Sequence, residues 1–96
     1  MKFRVLDKDI AAKALDKWGI VHRLDLLQEE FAEAITAVNH WKRRRQGSRE
    51  RLAEELADAL ICIDQILDGL EIRGEVERAI VIKTDRLRSR LWMEDL

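Results

Sequence analysis

The residues best placed to do chemistry are acids on two segments, Gln28-Glu29-Glu30-Phe31-Ala32-Glu33 and Glu54-Glu55-Leu56-Ala57-Asp58. On a helix, Glu30 and Glu33 lie about 60° apart and one turn from each other, so both carboxylates point to one side. Glu55 and Asp58 repeat that relation, and each pair can converge on one ion. Four carboxylates meeting between antiparallel helices would repel one another strongly without a cation. Ligands that are all oxygen favour Mg2+, with Mn2+ possible, over zinc. The same spacing also suits solvated helix faces, where acids pair with Lys or Arg one turn away. Glu29, Glu30 and Glu33 have few basic neighbours at that spacing, and Lys42 to Arg45 lie three turns further on.

The elements that must position these acids are helices. The chain has 96 residues, no proline, no tyrosine and four glycines, and is 47% apolar and 39% charged. Helix breakers are nearly absent, and β-branched residues are scattered rather than gathered into alternating runs. Length allows a single domain, residues 1–96. Four helices can be drawn, over about 7–18, 21–45, 49–67 and 74–92. Asp7 or Asp9 caps the first, Gly19 ends it, Ser48 caps the third and Gly69 closes it. The second carries a stripe of Leu24, Leu27, Phe31, Ala34, Val38 and Trp41. The third carries Leu52, Leu56, Ala59, Ile63 and Leu67, flanked by Glu55 and Asp58 in line with Cys62 and Gln65. The fourth carries Val76, Ile80, Lys83, Leu87 and Leu91. Short connections make neighbouring helices antiparallel in an all-α, four-helix bundle-like fold. Long stripes on so short a chain outrun one small core, which predicts a homo-oligomer sharing helical faces.

The pattern E-E-x-x-E on one helix and E-x-x-D on the next resembles that of the all-α nucleotide pyrophosphohydrolases, a superfamily that includes MazG-like enzymes. The resemblance runs from about Ala14 to Leu91. It includes Leu27-Gln28-Glu29-Glu30, Glu33-Ala34, the stretch from Leu52 to Ala59, and the Lys17-Trp18-Gly19 segment. It is closest to short single-domain MazG-like proteins. Ile61-Cys62-Ile63 stands where phosphoribosyl-ATP pyrophosphohydrolases carry a tyrosine-histidine pair, and dimeric dUTPases are generally longer. The resemblance implies that Glu30, Glu33, Glu55 and Asp58 ligate Mg2+ and that Glu29 ligates a further ion or orients the attacking water. It implies hydrolysis of nucleoside triphosphates, deoxynucleotides in a house-cleaning role among them, between the α- and β-phosphates to a monophosphate and pyrophosphate. It also implies a homodimer or homotetramer with the site at or near the subunit interface.

A triphosphate needs cations besides the metal. Lys83, Arg86 and Arg90 fall along one stripe of the fourth helix, where MazG-like relatives place phosphate contacts; Asp85 stands where those relatives often have asparagine. Trp18, beside His22 and ahead of the acidic helix, is the first choice for stacking on a base, with His22 a second base contact; both also suit packing. The run Lys42 to Arg45 complements a helix C-terminus and could touch substrate phosphates. Cys62 has neither the companions of a zinc site nor a histidine partner. Eighteen basic and nineteen acidic residues nearly cancel, which gives no global field for nucleic acid or membrane. A single cysteine and the lack of an apolar leader-like stretch fit a cytoplasmic protein. The rival reading is a non-catalytic helical module, binding nucleotide without turnover or pairing its acids and bases across a homo-oligomer interface.

Overall fold

The computed structural model describes residues 2–94, and these form four helices and no strand. They are α1 (Lys8–Trp18), α2 (Ile20–Lys42), α3 (Ser48–Gly69) and α4 (Arg73–Glu94). Asp7 caps α1, its carboxylate accepting the N–H groups of Asp9 and Ile10 at 2.9 and 3.2 Å. Gly19 alone separates α1 from α2, with φ 82° and ψ 161°, a conformation that side chains with a Cβ avoid. The start of α3 departs from expectation. Gly47, in the left-handed region, takes the cap position, and Ser48 is the buried first helical residue with no capping bond from its side chain.

α2 and α3 form the central antiparallel pair. Arg23 near the start of α2 bonds Gln65 near the end of α3, while Glu33 further along α2 meets Glu55 further back along α3. α1 packs against both, and α4 packs against α3 alone. The faces that meet match the expected stripes only in part. Phe31 and Val38 of the α2 stripe are exposed, as are Leu56 and Leu60 of α3. Buried are Arg23 and Ala37 on α2, and on α3 Ala59 and Leu67 of the expected stripe together with Ser48, Glu55, Cys62, Asp64, Gln65 and Ile66. The mixed polar face of each helix is therefore the inner one, because small residues there (Ala37, Ala59, Cys62) let the two backbones approach. On α4, Val76 and Ile80 are half-buried, whereas every side chain described from Val81 onward is exposed, Leu87 and Leu91 included.

A polar lock fixes the corner between α3 and α4. Asp64 is wholly buried and accepts the backbone N–H groups of Val5 and Leu6, both at 2.6 Å. Arg73, at the start of α4, pairs with Asp64 at 2.9 Å and Asp68 at 3.0 Å, and also donates to the carbonyls of Phe3 and Asp64. Arg4 adds a second bond to Asp68. The segment before α1 is thereby strapped across the end of α3, which sets the direction in which α4 leaves.

Candidate metal centre

The α2–α3 seam carries the acids inward. Glu30 follows Arg23 by seven residues and precedes Ala37 by seven, so all three share one face of α2. On α3, Glu55, Asp58 (or Ala59), Cys62 and Gln65 recur at steps of three and four along the opposing face. Antiparallel pairing then sets Glu30 beside Asp58 and Cys62, and Glu33 beside Glu55.

The geometry is that of a cation cradle. One carboxylate oxygen from each of Glu30, Glu55 and Asp58 lies within 4.8 Å of the other two. Glu55 is only 5% exposed, and its Oε2 is buried without a hydrogen-bond partner; Glu30 Oε2 is likewise buried and unpartnered. A buried carboxylate oxygen that bonds to nothing is costly, and a hard cation in the cradle would satisfy both. Burial first, then the negative charges of Glu33, Asp58, Glu55 and Glu29, holds the Glu30 carboxyl above the usual range. Glu33 is also pushed up, chiefly by a hydrogen bond and charge repulsion with Glu55, against which Arg51 works. An all-oxygen donor set converging between two helices fits Mg2+ or Mn2+, both of which prefer carboxylates and retain bound water.

Of the residues named from sequence, Glu30, Glu55 and Asp58 form the cradle itself. Glu33 sits at its edge against Glu55, and Glu29 is exposed beside Glu30. Trp18 and His22 stack on each other at 6.4 Å, and the Arg23 guanidinium lies 4.5 Å over the Trp18 ring. That group is joined to the seam through Arg23 and Gln65, on the side of Glu30 away from the α2–α3 turn. Lys83, Arg86 and Arg90 are not brought to the acids. They lie on the exposed length of α4, and Arg86 and Arg90 line a separate cleft with Ile82 and Asp85. The physical reason is the departure of α4, which rests on α3 only through its first turns. The run from Lys42 to Arg45 is exposed, with Arg44 5.2 Å over the Trp41 ring. Cys62 is buried in the seam, and burial, followed by the charge of Glu30, pushes its thiol up. That environment disfavours a thiolate and suits packing.

Two cations at the site went unread in the sequence. Arg51 pairs through Nε with Glu55 Oε1 at 2.7 Å, while Arg23 is buried, donates to Gln65 and contacts His22 Nδ1 at 2.7 Å. Arg51 was visible as the residue one turn before Glu55. Arg23 gave no such signal, since only the pairing register places it in the seam. Compared with family models, curated proteins and solved structures, the chain matches none.

Proposed function

We propose that the chain is a Mg2+-dependent nucleoside triphosphate pyrophosphohydrolase of MazG-like type. The observation that carries this reading is the cradle of Glu30, Glu55 and Asp58, with two buried carboxylate oxygens left unpartnered. Bound there, a divalent cation would neutralise phosphate oxygens and make water a better nucleophile. The protein's own groups divide the remaining work. Glu55 and Asp58, one turn apart on α3, and Glu30 on α2 would hold the cation from two helices, so the site would depend on the α2–α3 register. Glu33, with its carboxyl held above the usual range, is placed at the edge of the cradle to accept a proton from the attacking water. Glu29, exposed beside Glu30, can orient that water or hold a further ion. The bond that breaks joins the α-phosphorus to the oxygen bridging the α- and β-phosphates. Water adds to the α-phosphorus, and the products are a nucleoside monophosphate and pyrophosphate. Trp18 and His22, at the other end of the Arg23 bridge, offer a stacking surface for the base.

The same reading includes a homo-oligomer, dimer or tetramer. The chain's surface area is 7563 Å2, whereas a folded monomer of this mass exposes about 5,700 Å2. The excess exceeds the roughly 800 Å2 per partner that a stable interface needs. Phe31, Ile35 and Val38 form one exposed apolar stripe on α2, and Leu56 and Leu60 another on α3. In such an assembly α4 of a second copy would bring Lys83, Arg86 and Arg90 to the seam, which a single chain does not.

Exposed apolar surface equally favours the rival, a helical interaction module without turnover. The test is incubation of the purified protein with a panel of ribo- and deoxynucleoside triphosphates, with Mg2+ and with chelator, assaying pyrophosphate and orthophosphate. Mg2+-dependent pyrophosphate together with monophosphate supports the hydrolase. No turnover of any triphosphate by the folded protein supports the module.

A further inference from the structure

Next to the cradle, between α2 and the first turns of α3, lies a cleft of about 340 Å3 bounded by Glu33, Thr36, His40 and Arg51. His40 and Arg51 also border an adjoining cleft with Arg45 and Ser48. We infer that this cleft is a pyrophosphate subsite, with Arg51 as its principal grip and His40 as its second wall; the assignment rests on the hydrolase reading and names where the leaving group of that reaction would sit.

Glu55 links the cleft to the cradle, because its two oxygens have different surroundings. Oε1 pairs with Arg51 Nε at 2.7 Å, Oε2 is buried and unpartnered, and the carboxylate contributes one oxygen to the cradle. The unpartnered Oε2 leaves Glu55 able to take a cation while Oε1 holds the guanidinium. The closest contact of the ion pair is through Nε, and the Arg51 side chain, with its two terminal nitrogens, is 61% exposed and borders the cleft. Among the described residues those terminal nitrogens make no bond. An oxyanion bridging the cation and these donors would meet charge-assisted bonds on both sides, in the planar fork that arginine offers to phosphate. Glu33 belongs both to the cleft and to the edge of the cradle, so the two are continuous. Without a cation the acids bordering this region, Glu33, Glu50 and Glu54, repel an anion; the subsite is therefore metal-dependent. An ordinary i, i+4 ion pair on a helix surface would have no such consequence.

The experiment is calorimetric titration of inorganic pyrophosphate into the wild-type protein and into Arg51→Gln, Arg51→Lys, His40→Gln and Arg78→Gln, each with Mg2+ and with chelator. Mg2+ alone is titrated in parallel, and thermal melts check that each variant is folded. Wild type is expected to bind pyrophosphate only with Mg2+. Arg51→Gln should weaken that binding about tenfold or more, with Arg51→Lys between the two. His40→Gln should weaken it less, and Arg78→Gln, an exposed arginine paired with Glu75 on α4, should leave it unchanged. Affinity for Mg2+ alone should hold within about threefold or tighten in Arg51→Gln, because a competing cation has left Glu55. Unchanged pyrophosphate affinity in a folded Arg51→Gln overturns the assignment, as does failure of wild type to bind pyrophosphate with Mg2+. Pyrophosphate bound through Arg51 by a protein that hydrolyses no triphosphate keeps the subsite and sinks the hydrolase reading instead.

Discussion

Carboxylates in this chain respond to pH in opposite directions, Asp64 one way and Glu30 and Glu33 the other. Burial alone would raise the carboxyl of Asp64, but the N–H groups of Leu6 and Val5 and the Arg73 guanidinium outweigh it and hold it below the usual range. Stability from a depressed acid is present above its unfolded value, about pH 4, and is lost as pH falls through the lower folded value. Glu30 and Glu33 are raised, so the folded chain holds protons there that the unfolded chain has released. In chelator, stability should therefore fall as pH rises from about 5 to neutral, and Mg2+ should flatten that slope; melting curves at several pH values measure both. Asp64→Ala leaves the Arg73 charge and two N–H groups uncompensated and should cost about 3–5 kcal/mol by denaturant titration. Glu30→Gln should behave oppositely in chelator, raising the melting temperature by relieving repulsion, while losing the increase that Mg2+ gives wild type. The acids themselves were legible in the sequence because spacing at i, i+3 fixes direction on a helix. Asp64 was not singled out, since its partners are backbone groups some sixty positions away in the chain.

The four helices were legible too, because breakers are few and each apolar period is long; their bounds shifted by only a few residues. Their inner faces were legible only in part, with Ala59 and Leu67 of the α3 stripe buried. Apolar periodicity points to Phe31 and Val38 on α2 and Leu56 on α3, yet these are exposed in a single chain. Periodicity reports the sum of all apolar contacts a helix will make, without separating those within a chain from those between copies. Small residues and paired polar ones, Ala37 against α3 and Arg23 against Gln65, decide the inner face here, and they contribute little to an apolar stripe. Gly19 gives a sharper test at this scale. Nothing lies within 4 Å of a Cβ built there, so Gly19→Ala meets no steric neighbour and reports backbone strain alone. At φ 82° and ψ 161° the cost should be about 1–3 kcal/mol, read from the denaturation midpoint. A neutral result would mean that α1 and α2 join by a different turn.

As a whole molecule the chain is more spread than a compact domain of its length. Its radius of gyration is 16.3 Å, where a compact domain of 96 residues has about 12 Å. Its fully buried apolar residues are few and mostly small, and α4 lies exposed for more than half its length. Ile35 is 64% exposed in the middle of the α2 stripe. Ile35→Glu should therefore leave the isolated fold intact but reduce the mass seen by light scattering to that of one chain, and remove any dependence of melting temperature on concentration. Glu55 is where the site converges, reaching the cradle, Glu33 and Arg51 at once. The most direct measurement is release of pyrophosphate and monophosphate from a deoxynucleoside triphosphate with Mg2+, comparing wild type with a folded Glu55→Gln variant. Turnover by wild type that falls by about a hundredfold or more in Glu55→Gln is the predicted result. Equal rates in the two proteins, or rates unaffected by chelator, would contradict a metal centre built on Glu30, Glu55 and Asp58.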